Sequence, residues 1–224
     1  MQNNSGNEST GNKVNDFIQK NRKSVFMVLG IVVFLLIGAV VVLSVKDALH
    51  KKAIVKIEEL SGRYEELRFM IGEESSDSDV DALLADLQAF AKNKSGFAGG
   101  KAWSLIAQIH GTRSEWPQAE DAWRSAAEAA SKTYLGPAAF FNAAVAAEEQ
   151  GKREQAIEFY GKCVSLPVEF PQAPRAQFAI GRLYEELDDF PAAIEAYREI
   201  LTKWPNINTW VNLARSRVIA LETR

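Results

Sequence analysis

The sequence predicts an all-α protein in which a single membrane-spanning helix near the start is followed by a stack of antiparallel helical hairpins. Three observations predict this fold class. An apolar run of 22 residues carries no charge, and a pattern of small and aromatic residues recurs every 37 residues. Elsewhere, apolar residues are spaced three and four apart, as on one face of a helix.

A polar tail and an anchor come first. Residues 1–23 are rich in Asn, Ser, Gly and Gln, so we expect a disordered tail that cannot bury enough apolar surface to fold. Residues 24–45 are uncharged and, as a helix, span about 33 Å, which exceeds the roughly 30 Å hydrocarbon core of a bilayer. A cleavable signal peptide is the alternative, but residues 42–45 provide no A-x-A-like cleavage site. We therefore predict an uncleaved, single-pass anchor with the lipid bilayer as its partner.

The flanking charges leave the orientation of this anchor open. Positive residues stand on both sides of it in nearly equal number, so the positive-inside rule does not decide. They are Lys13, Lys20, Arg22 and Lys23 before the run, and Lys46, Lys51, Lys52, Lys56 and Arg63 after it. A repeat domain outside the cytoplasm is allowed, because long domains translocate largely regardless of such charges.

Residues 46–95 are predicted to form an irregular, membrane-proximal helix pair. The first helix carries one apolar seam with spacings of four and three residues: Ala53, Ile57, Leu60, Tyr64, Leu67 and Ile71. Two interpretations stay open. The seam can pack on the first repeat, or it can pair two chains as a homodimer through a short coiled coil over Ala53–Ile71. That length falls below the three or four heptads that such an assignment needs.

Residues 96–206 contain three copies of one hairpin, and residues 207–224 are predicted to form a C-terminal capping helix. The second helix of each copy has a small residue followed four residues later by an aromatic one: Ala119 and Trp123, Ala156 and Tyr160, Ala193 and Tyr197. The third copy also has Gly181 and Tyr184 in its first helix, and Pro205 ends its second helix because proline has no N–H. This spacing resembles that of the tetratricopeptide repeat (TPR) family. The resemblance implies a helical solenoid that binds other proteins.

The sequence offers no convincing catalytic, cofactor-binding or metal-binding constellation. The formal net charge of −3 provides no basic surface for nucleic acid. Cys163 is the single cysteine, expected to be a buried thiol, and His110 is expected to be a packed side chain. Two carboxylate pairs, Glu148-Glu149 and Glu185-Glu186, are expected on a solvated face. We therefore predict that the protein is not an enzyme and needs no cofactor.

The remaining functional candidate is a peptide-binding groove. In the repeat architecture, residues one step off the packing positions of the first helices point into the concave side. The predicted groove residues are Ser104, Gln108, Phe141, Val145, Arg175, Phe178 and Arg182. Apolar side chains beside arginines suit an extended or helical peptide with apolar anchors and some acidity. The alternative is that the helix over residues 47–71 folds into this groove and covers Phe141 and Phe178 itself.

The whole arrangement resembles the ancillary subunit family of the bacterial Sec translocon (SecYEG). This resemblance implies a single-pass inner-membrane protein with a cytoplasmic N-terminus and a periplasmic TPR domain. It also implies a non-enzymatic scaffold or adaptor that contacts the translocon and membrane-bound chaperones. The alternative function is a structural assembly factor of an envelope machine, such as a pilus or secretion system, with one fixed partner.

Overall fold

The computed structural model describes Phe17, residues 19–69 and residues 77–223. Its helices are α1 (Arg22–Leu67), α2 (Asp77–Ala91), α3 (Gly96–Thr112), α4 (Trp116–Ala129), α5 (Leu135–Glu149), α6 (Arg153–Ser165), α7 (Ala173–Glu186), α8 (Phe190–Lys203) and α9 (Asn208–Glu222). No strand occurs in the described ranges, which confirms the predicted all-α fold class. The chain divides into two compact units, residues 1–52 and 53–224.

In the first unit, residues 24–45 of α1 carry no charge on any side. Its large apolar side chains over residues 26–45 are all exposed, although a soluble helix would bury one face. By length and composition, α1 is the one helix among the described residues that could cross a membrane. The predicted tail lies outside the described residues up to Asp16.

In the second unit, the apolar seam of α1 packs within the chain. Ile57 and Leu60 are fully buried and join a cluster with Leu83 and Leu87 of α2 and with apolar residues of α3. Since the seam is buried against α2 and α3, the first of the two interpretations is correct. The other interpretation, a homodimer through Ala53–Ile71, is not supported, because Ala53, Ile57, Leu60 and Tyr64 are buried within the chain and Leu67 is partly buried; Ile71 lies outside the described residues.

Two interhelical ion pairs fix the same arrangement. Arg63 Nη1 of α1 lies 2.5 Å from Asp86 Oδ2 of α2, and Lys101 Nζ of α3 lies 3.0 Å from Glu58 Oε1 of α1. Exposed pairs of this kind contribute little stability, about 0–1 kcal/mol each. The buried apolar cluster therefore holds α1 in place and sets which of its faces meets α2 and α3, and the ion pairs lie at the edge of that contact.

The three predicted hairpins are α3–α4, α5–α6 and α7–α8, and their small residues lie where helices approach each other. Ala119, Ala156 and Ala193 are all buried. A Cβ atom at Gly181 would lie 2.6 Å from Cε1 of Tyr197, so only glycine allows that tyrosine ring to rest on α7. The predicted pairing of a small residue with Tyr197 is confirmed.

The turn inside each hairpin uses one left-handed residue at the same repeat position. Ser114, Gly151 and Asp188 have φ angles of 58°, 70° and 57° and are spaced by the repeat length of 37 residues. In the third copy, the Asp189 side chain also caps α8 by accepting a hydrogen bond from the Ala192 N–H at 3.1 Å. These turns bring the two helices of each copy back to back.

The last helix, α9, buries its apolar face against α8. Val218, Ala214 and Leu221 form a cluster with Tyr197 and Ile200. The exposed residues of α9 include Arg215 and Arg217 together with the apolar Leu213 and Ile219.

Candidate functional site

Five of the seven predicted groove residues line one cleft. They lie on α5 and α7, the first helices of copies two and three, and surround a volume of about 330 Å³. The five are Phe141, Val145, Arg175, Phe178 and Arg182. The sequence did not identify the other principal lining residues, which are Glu148, Glu149, Tyr160 and Trp210. We call this site the α5–α7 cleft.

The structure does not bring Ser104 and Gln108 to that cleft. They line a separate space of about 300 Å³ beside Ser61 and Glu65 of α1. Ser104 is buried, and its hydroxyl donates to the Gly100 carbonyl at 2.8 Å, so it serves helix packing. These two residues therefore lie on the part of the first copy that faces α1, apart from the α5–α7 cleft.

The two phenylalanines form the floor of the α5–α7 cleft rather than open anchors. Phe141 is only 7% exposed, since its ring packs edge-to-face on Tyr160 at 5.2 Å and near Phe170 at 6.1 Å. Phe178 is half-buried, with its ring centroid 5.0 Å from that of Tyr197 and 5.5 Å from that of Trp210. The alternative in which the helix over residues 47–71 covers Phe141 and Phe178 is wrong, because other elements cover them. Aromatic residues of the repeats, the connecting loop and α9 cover these rings, and α1 packs in another cluster.

The two arginines of the cleft differ in what they can do. Arg182 forms ion pairs with Glu148 and, at 2.5 Å, with Glu186. Arg175 is exposed, and its guanidinium lies 5.2 Å from the centroid of the Phe141 ring in a cation–π contact. Among the described residues, Arg175 forms no ion pair. It is therefore the arginine whose hydrogen-bond donors remain available to a ligand.

A tyrosine–carboxylate–arginine arrangement recurs in two successive copies. The Tyr160 hydroxyl donates to Glu148 Oε1 at 2.7 Å, and the Tyr197 hydroxyl donates to Glu185 Oε1 at 2.6 Å. Arg182 of the next copy pairs with Glu148, and Arg217 of α9 pairs with Glu185. The expectation that both carboxylates lie on a solvated face is wrong for Glu148 and Glu185, whose side chains are 22% and 15% exposed.

This arrangement keeps both tyrosines neutral. Burial raises the pKa of Tyr160, and the hydrogen bond to Glu148 raises it further. Burial and the hydrogen bond to Glu185 act in the same way on the pKa of Tyr197. The sequence did contain a signal for these tyrosine–glutamate pairs. Each glutamate precedes its tyrosine by twelve residues, and the two pairs are one repeat apart.

The remaining reactive side chains are held by packing. Cys163 is 1% exposed, and burial raises the pKa of its thiol to about 12, so the expected buried thiol is confirmed. His110 is a packed side chain as expected, with Nδ1 2.5 Å from Glu115 Oε2. Within the described ranges, no group of three or more His, Cys, Asp or Glu residues could hold a metal ion.

Comparison with known proteins finds a match to the repeats. The sequence model of the tetratricopeptide repeat family matches residues 105–162 and 168–206. A TPR repeat-containing protein of Treponema pallidum (strain Nichols) is 38% identical over 143 residues, which are 63% of this chain and 59% of that protein. The chain therefore spans about three fifths of the length of this relative.

Solved structures agree with the fold. Two crystal structures of nearly identical TPR-like repeats, from a Podosopora anserina protein titled a kinesin light chain, have TM-scores of 0.52 and 0.50. They cover 75% and 74% of this chain, and the matches cover 86% and 96% of those chains. Sequence identities are 12% and 14%, so the likeness concerns the helical architecture alone.

Proposed function

We propose that this chain, whose repeats match the tetratricopeptide repeat family, is a non-enzymatic scaffold that binds a protein segment in the α5–α7 cleft. Tetratricopeptide repeat proteins generally mediate contacts between proteins. The observation that carries the proposal is the state of Arg175. Its guanidinium is exposed, rests on the Phe141 ring, and has no carboxylate partner among the described residues. A ligand carboxylate can take that place.

The chemistry of the cleft defines the ligand class. Val145 is 36% exposed beside the aromatic floor and offers an apolar contact. Arg175 offers a charge-assisted, bidentate hydrogen bond, which is stronger than a neutral one. Glu149 is exposed at the rim and disfavours a ligand that places a second acidic group there. The cleft therefore suits a segment with one acidic side chain next to an apolar one.

The anchor determines where binding takes place. Residues 24–45 of α1 fit a membrane span by length and composition, and attachment to a bilayer raises the effective concentration of the scaffold near a membrane partner. The resemblance to the ancillary Sec translocon family supports an inner-membrane location, a cytoplasmic N-terminus and a periplasmic repeat domain. It likewise supports the translocon and membrane-bound chaperones as partners.

A second function is an assembly factor of an envelope machine such as a pilus or secretion system. The packed aromatic floor of the α5–α7 cleft favours it, because a floor held by ring contacts with Tyr160 and Phe170 presents one shape, which suits one fixed partner. The two functions differ in the number of partners that occupy the cleft. A scaffold for emerging chains meets many, whereas an assembly factor meets one.

Site-specific photo-crosslinking tests the binding proposal and separates these functions. A photoreactive residue at Val145 in intact membranes is expected to give adducts, many for a scaffold and one constant band for an assembly factor. The same residue at exposed Asp121 on α4 is the matched control. Arg175→Glu should abolish the Val145 adducts, because it reverses the charge that the ligand carboxylate meets. Arg175 forms no ion pair among the described residues, so the substitution breaks no ion pair of the fold. Adducts that survive Arg175→Glu would refute a role for the α5–α7 cleft.

Protease protection tests the proposed orientation. In sealed spheroplasts, added protease should degrade the repeats and leave a fragment that contains residues 24–45. Complete protection of the repeats, with degradation after lysis as the control, would place the domain in the cytoplasm and contradict the proposal.

A further inference from the structure

A second groove lies on the other face of α7, between α6 and α8. It has a volume of about 400 Å³, and the α7 residues that line it, Gln177, Ile180 and Tyr184, alternate with those of the α5–α7 cleft. The Gln177 side chain is buried and donates to the Ala196 carbonyl at 3.2 Å, so the polar part of the floor is satisfied. The groove is otherwise apolar at its base. We call it the α6–α8 groove.

The α6 wall of this groove departs from the repeat pattern at one position. Ile157, Gly161 and Val164 line it with spacings of four and three residues. At the position of Gly161 the other two copies have Arg124 and Arg198. Copy two, whose α6 forms this wall, is thus the copy that has no side chain at this position.

Gly161 has no packing role inside the chain. A Cβ atom there would meet nothing within 4 Å, whereas one at Gly181 would collide with Tyr197. Glycine in the interior of a helix lowers its stability relative to alanine. A glycine that is neither in a turn nor under a neighbouring side chain is explained when another molecule approaches the backbone at that point.

The charges at the edge of the groove are mainly acidic. Glu195 and Glu199 of α8 line it together with Lys203, and Lys203 Nζ lies 3.1 Å from Glu199 Oε2. Glu195 is exposed and has no ion pair in the part of the chain that the structure describes. The edge therefore carries one carboxylate that is available to a cation from outside.

We infer that the α6–α8 groove binds an amphipathic helix of a partner protein, which places an apolar side chain over Gly161 and a Lys or Arg against Glu195. The apolar base between two helices suits a third helix with residues at i, i+4 and i+7, as in helix-in-groove recognition. This surface is separate from the α5–α7 cleft, and the inference does not rest on the proposed function of that cleft.

Fluorescence anisotropy with a defined probe tests the inference on the full chain in detergent micelles. The probe is a labelled, alanine-based helical peptide with leucines at i, i+4 and i+7 and one arginine beside them. Wild-type protein should bind it, and Gly161→Leu should weaken binding about tenfold or more, because the new side chain fills the place of a buried one. Arg124→Leu, which introduces leucine at the equivalent position of the first copy, should stay within about twofold, and empty micelles control for peptide bound to detergent.

Charge reversal provides the second variant. Glu195→Lys should weaken binding of the arginine peptide and improve binding of a peptide with glutamate in its place, and this result holds even where Gly161→Leu fails to fold. No binding above empty micelles would overturn the inference. So would equal binding by wild type, Gly161→Leu and Glu195→Lys. Equal affinity for the arginine and glutamate peptides would overturn the assigned partner chemistry.

Discussion

Two glycines in neighbouring helices should respond differently to the same substitution. Gly181→Ala places a Cβ atom 2.6 to 2.8 Å from three ring atoms of Tyr197, where carbon atoms normally lie about 3.5–4.0 Å apart. The ring cannot easily retreat, because its hydroxyl donates to Glu185 and its centroid lies 5.0 Å from that of the Phe178 ring. Gly161→Ala places the same atom in open space.

The magnitude follows from what the two substitutions share. Both gain about 1 kcal/mol of helix propensity, so the difference between them isolates the steric penalty of overpacking, about 1–3 kcal/mol. For a domain of this size, 1 kcal/mol shifts the melting temperature by roughly 2–4 °C. Gly161→Ala should therefore melt roughly 2–4 °C higher than wild type, and Gly181→Ala should melt lower than Gly161→Ala by roughly 2–12 °C.

Thermal unfolding of the full chain in detergent, followed by far-ultraviolet circular dichroism, measures both variants against wild type. The control is Gly181→Ala in a Tyr197→Ala background, compared with Tyr197→Ala alone. Without the ring, the added methyl group should carry no penalty. Equal stabilisation by Gly161→Ala and Gly181→Ala would refute the reasoning that close contact with Tyr197 requires glycine at position 181.

Three further substitutions test the turns, the carboxylate arrangement and the core. Gly151→Ala should destabilise the repeats by about 1–2 kcal/mol in urea unfolding, because φ of +70° is unfavourable for a residue with a Cβ atom; a neutral result would contradict the left-handed turn. Burial and the hydrogen bond to Glu148 raise the pKa of Tyr160, so the contribution of neutral Tyr160 to stability is present below a pH of about 10 and is lost as the pH rises further. Tyr160→Phe should flatten this alkaline decline when the free energy of unfolding is measured by chemical unfolding at each pH. An unchanged pH profile would argue against the link between Tyr160 and Glu148. Ala156→Trp should lower stability by roughly 1–3 kcal/mol, since Ala156 is fully buried; an unchanged melting temperature would count against the helix contact there.

Local pattern was sufficient to predict the architecture. Each hairpin contacts mainly its neighbours, so the small residues that permit close packing must recur at a fixed interval, as Ala119, Ala156 and Ala193 do. The predicted membrane span follows from one uncharged run, because its length matches the thickness of a bilayer. Five of the seven predicted groove residues share a cleft, because equivalent positions of successive repeats point the same way.

The accessibility and charge of the cleft could not be predicted in the same way. Phe141 is covered by Phe170, which stands in the irregular connection between copies, where no repeat pattern applies. Arg182 is occupied by Glu148, a residue 34 positions earlier, and this pairing exists only once neighbouring hairpins are packed.

The sequence by itself determined the helices, the repeat interval and the one apolar helix among the described residues that is long enough to cross a membrane, because these depend on residues close in the chain or repeated along it. Tertiary structure alone decided that α1 covers the first copy, that Arg175 rather than Arg182 is available, and that a groove opens over Gly161. The physical reason is that burial and ion pairing depend on side chains from adjacent hairpins. Their sizes and charges combine only when the stack has formed.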